Sequence, residues 1–324
     1  MILFIGPITN KHGQGTMTIE AMNALALNYD LDKVNTYTPR NHLIYNTLLI
    51  FRILLNYRKY SHVYLSLSRN LPKSFLDLIV LYKYRSTKVV THLHGTEFDE
   101  NLPEWFKITM RNLFKADNVV NVVLSTSHVK YAFGKANYRI VPNGLNFNRF
   151  EPHRNVTEKL VFVHVSNPIL SKGLDTSLKY YSILLKEKSS IKLEFNVIGW
   201  TLEDAISYGL ESYPGVKFHG KLYGDQKEKV LRESNIMLYP TRYKTEAQPL
   251  VILEALNCGC KCLVTNFKMM SDFTEFSSVR YVEDFQTLND LIEFNNRNYS
   301  DETRNKLVKY SLDQYQENIM ACFE

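Results

Sequence analysis

The sequence predicts an α/β protein of two domains, each a parallel sheet covered by helices on both faces. Three observations carry this. At 324 residues the chain is long for one domain and comfortable for two. Short apolar runs of strand length alternate with stretches of helical periodicity, the pattern of parallel sheets. The alternation stops once, at the polar, aperiodic run NFNRFEPHRNVT (Asn146–Thr157), and then restarts. That run reads as the interdomain linker, with domains over 1–150 and 151–324.

The first element is the apolar run Ile2–Ile5, a buried strand stopped by Gly6-Pro7. A glycine loop, HGQGT, follows, then a helix over Met17–Leu27 with Thr16 as its N-cap. Strands are expected at Val63–Leu67, Val89–Leu93, Val119–Leu124 and Arg139–Val141, with helices over Leu71–Tyr84 and Glu104–Phe114 between them. After the linker come strands Leu160–Val165, Leu193–Ile198, Val216–Phe218, Ile236–Tyr239 and Cys262–Val264. Helices are expected over Leu174–Lys186, Gln226–Glu233 and Leu250–Leu256. Two such domains facing each other leave a cleft at the carboxyl ends of their strands, where open α/β sheets bind ligands.

Composition narrows the class. A hydrophobic share of 45% is that of a chain with real cores and argues against disorder. The start, MILFIGPITNKHG, has neither the basic nor the long apolar region of a signal peptide. The most apolar run, Leu48–Leu55, is broken by Arg52 and falls short of the ~18 residues a span needs. Cys258, Cys260 and Cys262 lie in the run CGCKC, which lacks paired C-x2-C spacing and an adjacent His. They read as small buried hydrophobes, and no metal site is expected. With Cys322 they make four cysteines, which together with the absence of an export signal suits a reducing, cytoplasmic compartment. The net charge of +6 is uneven: Arg40–Lys88 holds nine basic residues and one acid, Asp77, with tyrosines and phenylalanines between them. That stretch suits either an anionic membrane surface or an ordinary solvated face, and suits nucleic acid less.

Five clusters at strand ends carry candidate chemistry. Gly13 and Gly15 in HGQGT permit close backbone approach next to a helix start. His94, in HLHGTE, stands at a strand end where a site is expected, whereas His92 reads as a core histidine. Asn143-Gly144, in VPNGLNFNRF, is a tight-turn signal. Lys172-Gly173 places an ammonium beside a helix start, which suits a phosphate. Glu246, in the loop before Pro249, and Glu254, in an otherwise apolar helix, are two carboxylates able to serve different parts of one ligand. Pro249 reads as the first helical residue.

In this order and spacing the clusters resemble the retaining glycosyltransferases of family four, which have the GT-B fold, two Rossmann-like parallel-sheet domains facing each other across a cleft. Glu246 to Glu254, in EAQPLVILEALNCG, is similar to that family's Glu-x7-Glu motif. Lys172-Gly173, VPNGLNFNRF, HGTE, HGQGT and NIMLYPT resemble its other segments. The resemblance implies a nucleoside-diphosphate-sugar donor and roles on it: Lys172 on the diphosphate, Glu246 on the transferred sugar, Glu254 on the ribose, the Leu250 and Val251 amides on phosphate or ribose, and His94 on the sugar. It also implies that Gly15 admits the phosphates and that a last helix packs back on the first domain. The family's usual Arg is Asn167 here, for which Arg242 or Lys244 is a substitute. Thr241 and Lys261 replace a Ser and a Pro. No Asp-x-Asp is present; Glu97-x-Asp99 comes nearest. Lys172 then stands in for a divalent cation, so no metal or cofactor is expected. A glycan or lipid-linked acceptor in O-antigen or capsule synthesis follows by analogy with the family. The rivals are a nucleotide-sugar epimerase of similar build, against which the Glu-x7-Glu spacing speaks, and a non-catalytic nucleotide- or sugar-binding protein.

Overall fold

The structure is a computed structural model that describes residues 1–10, 12–37, 57–67, 73–95, 103–132, 137–147 and 149–324, with 51, 53 and 55 besides. Glu97 and Asp99, and Arg40, Arg52 and Arg69 of the basic stretch, lie outside the described residues. The chain forms two compact units, Met1–Gly144 together with Lys309–Glu324, and Leu145–Val308.

The first unit holds β1 (Ile2–Gly6), α1 (Gly13–Ala26), β2 (Leu31–Asn35), β3 (His62–Ser66), α2 (Lys73–Lys83), β4 (Lys88–His92), α3 (Glu104–Phe114), β5 (Val119–Val123) and β6 (Tyr138–Ile140). The sheet order is β2-β1-β3-β4-β5-β6, every pair parallel. Central strands β1 and β5 are buried throughout; β1 is an unbroken apolar run, and β5 is broken only by Asn121, whose side chain is hydrogen-bonded to Thr91 and Phe114. Edge strand β2 has the sequence LDKVN and buries only Val34, so it carries no apolar run to read.

Helix α1 corrects two expectations. It starts at Gly13, and its N-cap is His12, not Thr16: the His12 Nδ1 accepts from the Gly15 amide at 3.0 Å. HGQGT is therefore the first helical turn with its cap, and not a loop. The last helix, Leu312–Ala321, packs on α1, and the Tyr315 hydroxyl donates to the Met17 carbonyl at 2.9 Å. Gly144 serves this contact. A Cβ there would come within 2.6 Å of the Tyr315 Cβ and 3.0 Å of the Ser311 carbonyl.

The second unit holds β7 (Lys159–Val165), α4 (Leu174–Leu184), β8 (Lys192–Ile198), α5 (Leu202–Ser207), β9 (Val216–Phe218), α6 (Gly224–Arg232), β10 (Ile236–Tyr239), α7 (Leu250–Asn257), β11 (Lys261–Val264), β12 (Val279–Tyr281), α8 (Leu288–Asn296) and α9 (Ser300–Leu307). The Leu312–Ala321 helix is thus α10. All strands are parallel in the order β12-β11-β10-β7-β8-β9. Phe162, Tyr181 and Phe195 meet in its core, with ring centroids 5.2 to 6.2 Å apart. The expected linker is strapped to this unit. The Arg154 guanidinium donates to the Ser234 carbonyl at 2.6 Å, the Arg154 carbonyl accepts from Asn295 at 2.7 Å, and the Val156 amide donates to Asn296 at 2.8 Å.

The three cysteines of CGCKC are buried and free, and burial raises the pKa of each thiol. Between them, Lys261 is fully buried. Its Nζ donates to the Phe294 and Arg297 carbonyls at the end of α8 and lies 4.8 and 4.6 Å from the Phe294 and Tyr299 ring centroids. Burial, with Arg297 and Arg280 nearby, pushes its pKa down to about 7 from 10.5. Between those values the unfolded chain binds more protons than the folded one, so this group makes stability rise with pH across that window. Relative to Lys261→Met, the wild type should therefore gain in urea midpoint as pH rises above about 7. A difference independent of pH would show that Lys261 stays charged in the fold.

Candidate active site

In the second sheet, β7 runs outward one way to β8 and β9, and β10 the other way to β11 and β12. The loops after β7 and β10 diverge from this switch point, which is where such sheets bind ligands. Lys172 ends the first loop, in the short turn Leu170–Lys172, and Glu246 lies in the second.

Gly173 lets the loops meet. Its φ is 92°, and a Cβ would sit 2.2 Å from the Pro240 carbonyl oxygen. The Arg242 amide donates to the Ser171 carbonyl at 2.7 Å, a further stitch between the two loops. Beneath them lies His164, whose Nδ1 donates to the Leu238 carbonyl at 2.9 Å. Its Nε2 accepts from the Ser166 hydroxyl at 2.9 Å, and Ser166 in turn accepts from the Trp200 indole at 3.0 Å. Burial pushes His164 down to about 4, so this chain is neutral at pH 7.

On this frame Lys172 and Glu246 form an ion pair, with side chains 15% and 11% exposed. The Tyr239 hydroxyl donates to the same Glu246 oxygen at 3.0 Å, and the Lys172 Nζ lies 4.5 Å over the Tyr243 ring. Burial, and then Glu246, raise Tyr239 well above its usual value, so it remains a neutral donor. Neither Tyr239 nor Tyr243 is a candidate from sequence alone. Their only signal was an aromatic just before Pro240 and another in the loop that follows.

Arg242 is committed elsewhere: its guanidinium forms a bidentate pair with Asp175 at 2.9 and 3.0 Å and also donates to Thr176. Lys172 is the cation that meets Glu246. Asn167 stands in the β7 loop, its carbonyl accepting from the Ile169 amide at 2.7 Å.

Leu250 and Val251 open α7, and Pro249 is its N-cap, one place earlier than expected, without a side-chain cap bond. The first amides of a helix have no carbonyl partner within it and favour an anion. Farther along α7, Glu254 Oε1 accepts from the Lys227 Nζ at 2.7 Å, while Oε2 is buried without a partner among the described residues. Glu254 lines a cavity of about 160 Å³ between α6, α7 and the segment after Gly144.

The remaining candidates belong to the first unit. His94 follows β4, with its Nε2 sealed and without a partner among the described residues, and its ring 3.9 Å from that of His92. Burial, then His128 and His12, push it down to about 3, so it is a neutral imidazole. The first turn of α1 follows its N-cap, His12. Gly13 and Gly15 are in this turn. A Cβ on Gly15 would lie 2.2 Å from the Thr9 carbonyl, so chain packing alone requires glycine there. His92 is fully buried and joined to the Tyr64 hydroxyl at 2.7 Å. Among the described residues no group of three or more His, Cys, Asp or Glu is arranged to hold a metal ion. Nor is any helix among them long and apolar enough to cross a membrane.

Two six-stranded parallel sheets flanked by helices define the GT-B class of glycosyltransferase structures. The profile of Glycosyl transferases group 1 matches residues 146–313, just over half of the chain, and the protein belongs to that family. Among solved structures, HepE of Anabaena in complex with UDP superimposes with a TM-score of 0.71 at 12% identity, over 99% of this chain and 98% of that one. A glycosyltransferase from Rickettsia africae gives 0.66 at 14%, over 99% and 97%. Sucrose-phosphate synthase from Thermosynechococcus elongatus gives 0.63 at 15%, over 100% and 94%. A comparison of the sequence with curated proteins finds no match.

Tyr239→Phe removes one of the donors to Glu246 while keeping the ring that packs under it. The expected result is a roughly tenfold loss of kcat for sugar transfer with the donor KM little changed, about the worth of one hydrogen bond to a charged group. An unaltered kcat would show that Lys172 alone orients Glu246.

Proposed function

We propose that the protein transfers a sugar from a nucleoside-diphosphate sugar to a glycan or lipid-linked acceptor, with retention of anomeric configuration and without a metal ion. The observation that carries this reading is the Lys172–Glu246 pair at the switch point, with Glu246 in the loop that leads into the first amides of α7. As the diphosphate departs, negative charge grows on its oxygens and positive charge on the sugar ring. An ammonium and helix amides suit the first, and a carboxylate suits the second. Before a donor binds, Lys172 and Glu246 neutralise each other. A diphosphate competing for Lys172 would release Glu246 toward the sugar. HepE crystallised with UDP and with UDP-glucose supports a nucleotide sugar as the donor class.

An epimerase would expel the diphosphate without an acceptor, and an idle binding protein would not break the sugar–diphosphate bond at all; against both stands the Glu-x7-Glu spacing of Glu246 and Glu254. We assign the acceptor to cell-surface polysaccharide synthesis of the O-antigen or capsule type, on the cytoplasmic face of the membrane. The described part of the basic stretch supports a peripheral position there. Arg58, Lys59 and Arg85 are exposed, and Arg85 lies 4.1 Å over the ring of Tyr82, itself 61% exposed.

The deciding assay measures nucleoside diphosphate release from a panel of nucleotide sugars with glycan acceptors, in EDTA. Acceptor-dependent release by the wild type, lost on Glu246→Gln in a protein that melts normally, supports the reading. Activity that vanishes in EDTA and returns with magnesium or manganese overturns metal independence, and release without any acceptor overturns transfer. Separately, the wild type should co-sediment with anionic but not neutral vesicles at low salt and detach at high salt, since each basic group near such a surface contributes ~1 kcal/mol. Equal binding to both vesicles, or none, would return the basic stretch to an ordinary solvated face.

A further inference from the structure

The loop between β10 and α7 carries half of the site, and its internal bonds join the parts that meet Lys172. The Thr241 hydroxyl accepts from the Tyr243 amide at 3.2 Å, and the Tyr243 carbonyl accepts from the Glu246 amide at 3.0 Å. The ring beneath Lys172 and the carboxylate paired with it are thus the two ends of one turn. Thr241 is fully buried, and its carbonyl accepts from the Thr265 hydroxyl at 2.9 Å, which ties the start of the loop to the end of β11. Arg242 ties the loop to the opposite segment instead. Its amide donates to the Ser171 carbonyl at 2.7 Å. Its guanidinium donates to both Asp175 oxygens at 2.9 and 3.0 Å and to the Thr176 hydroxyl, in the first turn of α4. Lys172 and Gly173 lie between these anchors, so one residue grips the lysine segment before and after the lysine.

We propose that Arg242 is a positioning residue for sugar transfer: clamped to Asp175 and Thr176, it holds the Lys172 backbone against the Tyr243–Glu246 turn and does not itself bind the donor diphosphate. This rests on the sugar-transfer reading above and replaces the sequence expectation that Arg242 supplies a cation to the leaving group. A planar guanidinium forked onto both oxygens of one carboxylate is a directional contact, which a simple attraction of charges is not. The pair is 44% and 34% exposed, so it contributes little to stability. Its effect is geometric, because misplacing reacting groups by about an ångström can cost roughly a hundredfold in rate. Asp175 needs the arginine for a second reason. An unpaired carboxylate so close in sequence to Lys172 would repel the diphosphate that the lysine is proposed to attract.

The test uses the double variant Arg242→Gln/Asp175→Asn, which removes the clamp without changing the net charge. In the release assay above it should lower kcat roughly tenfold while melting normally. Calorimetry with UDP, GDP and ADP should find the affinity of whichever the wild type binds altered by less than about twofold. Each single variant should lower kcat as much as the double does, because the two side chains act as one unit. Asp175→Glu, which can re-form the pair, should recover most of what Asp175→Asn loses. With no substrate present, Asp175→Asn should also speed hydrogen exchange of the Arg242 and Glu246 amides, since their loop is then held by fewer bonds. Nucleotide binding weakened roughly tenfold in the double variant would make Arg242 a donor ligand. A wild-type kcat in the double variant, or unchanged exchange in Asp175→Asn, would reduce the clamp to an ordinary surface ion pair while the transfer reading stands. If the wild type releases no nucleoside diphosphate from any nucleotide sugar, the transfer reading falls and the role of Arg242 with it.

Discussion

The contact between Gly173 and the Pro240 carbonyl sets the distance between the loops after β7 and β10, and the chemistry of the second unit depends on that distance. A side chain at 173 would have to occupy the space of a peptide oxygen. With glycine there, Lys172 reaches Glu246, the Arg242 amide reaches Ser171, and Arg242 itself turns to the first turn of α4. The site is thus built by backbone proximity first and by charge second. A left-handed glycine next to Lys172 is a conformational requirement before it is a chemical one.

The ion pairs of this unit illustrate why such sites are poor stabilisers. Partial burial strips water from both charges, and the mutual attraction offsets that loss only in part. A pair that is only marginally favourable can be opened by a ligand carrying a stronger charge. Lys172–Glu246 and Lys227–Glu254 share this character, each pair only partly exposed. Lys261 shows the contrasting use of a buried lysine. It is enclosed by carbonyls and aromatic rings and acts as a peg at the end of α8.

Much of this was legible in advance, and the gaps have physical causes. Central strands such as β1 and β10 are apolar because both of their faces are buried, so they announce themselves. Edge strand β2 has one buried residue and gave no signal. The start of α1 was misread because a histidine is an uncommon N-cap, whereas Thr16 is a conventional one; the capping atom was an imidazole nitrogen. Helices α5 and α8 do carry capping boxes, Thr201 with Asp204 and Thr287 with Asp290, but their apolar faces are too short or too mixed to show periodicity. Lys172, Glu246 and Glu254 stood out as charges in apolar or glycine-bearing surroundings. Tyr239 and Lys227 did not, because an aromatic in a strand and a lysine in a charged helix are both ordinary. Only their partners give them meaning, and partners are a property of the fold.

The return of α10 to α1 has a consequence for how the chain is made. Residues 145–308 form a unit inserted within the sequence of another, which is closed by Lys309–Glu324. On a ribosome the inserted unit emerges whole and can fold as soon as it is released. The earlier segment, although synthesised first, waits with the α1 surface bare until Tyr315 arrives to bond Met17. Order of synthesis and order of completion are therefore reversed between the two units. The first unit, its six-stranded sheet complete but the α10 seat on α1 uncovered, is the species that a nascent-chain chaperone would meet.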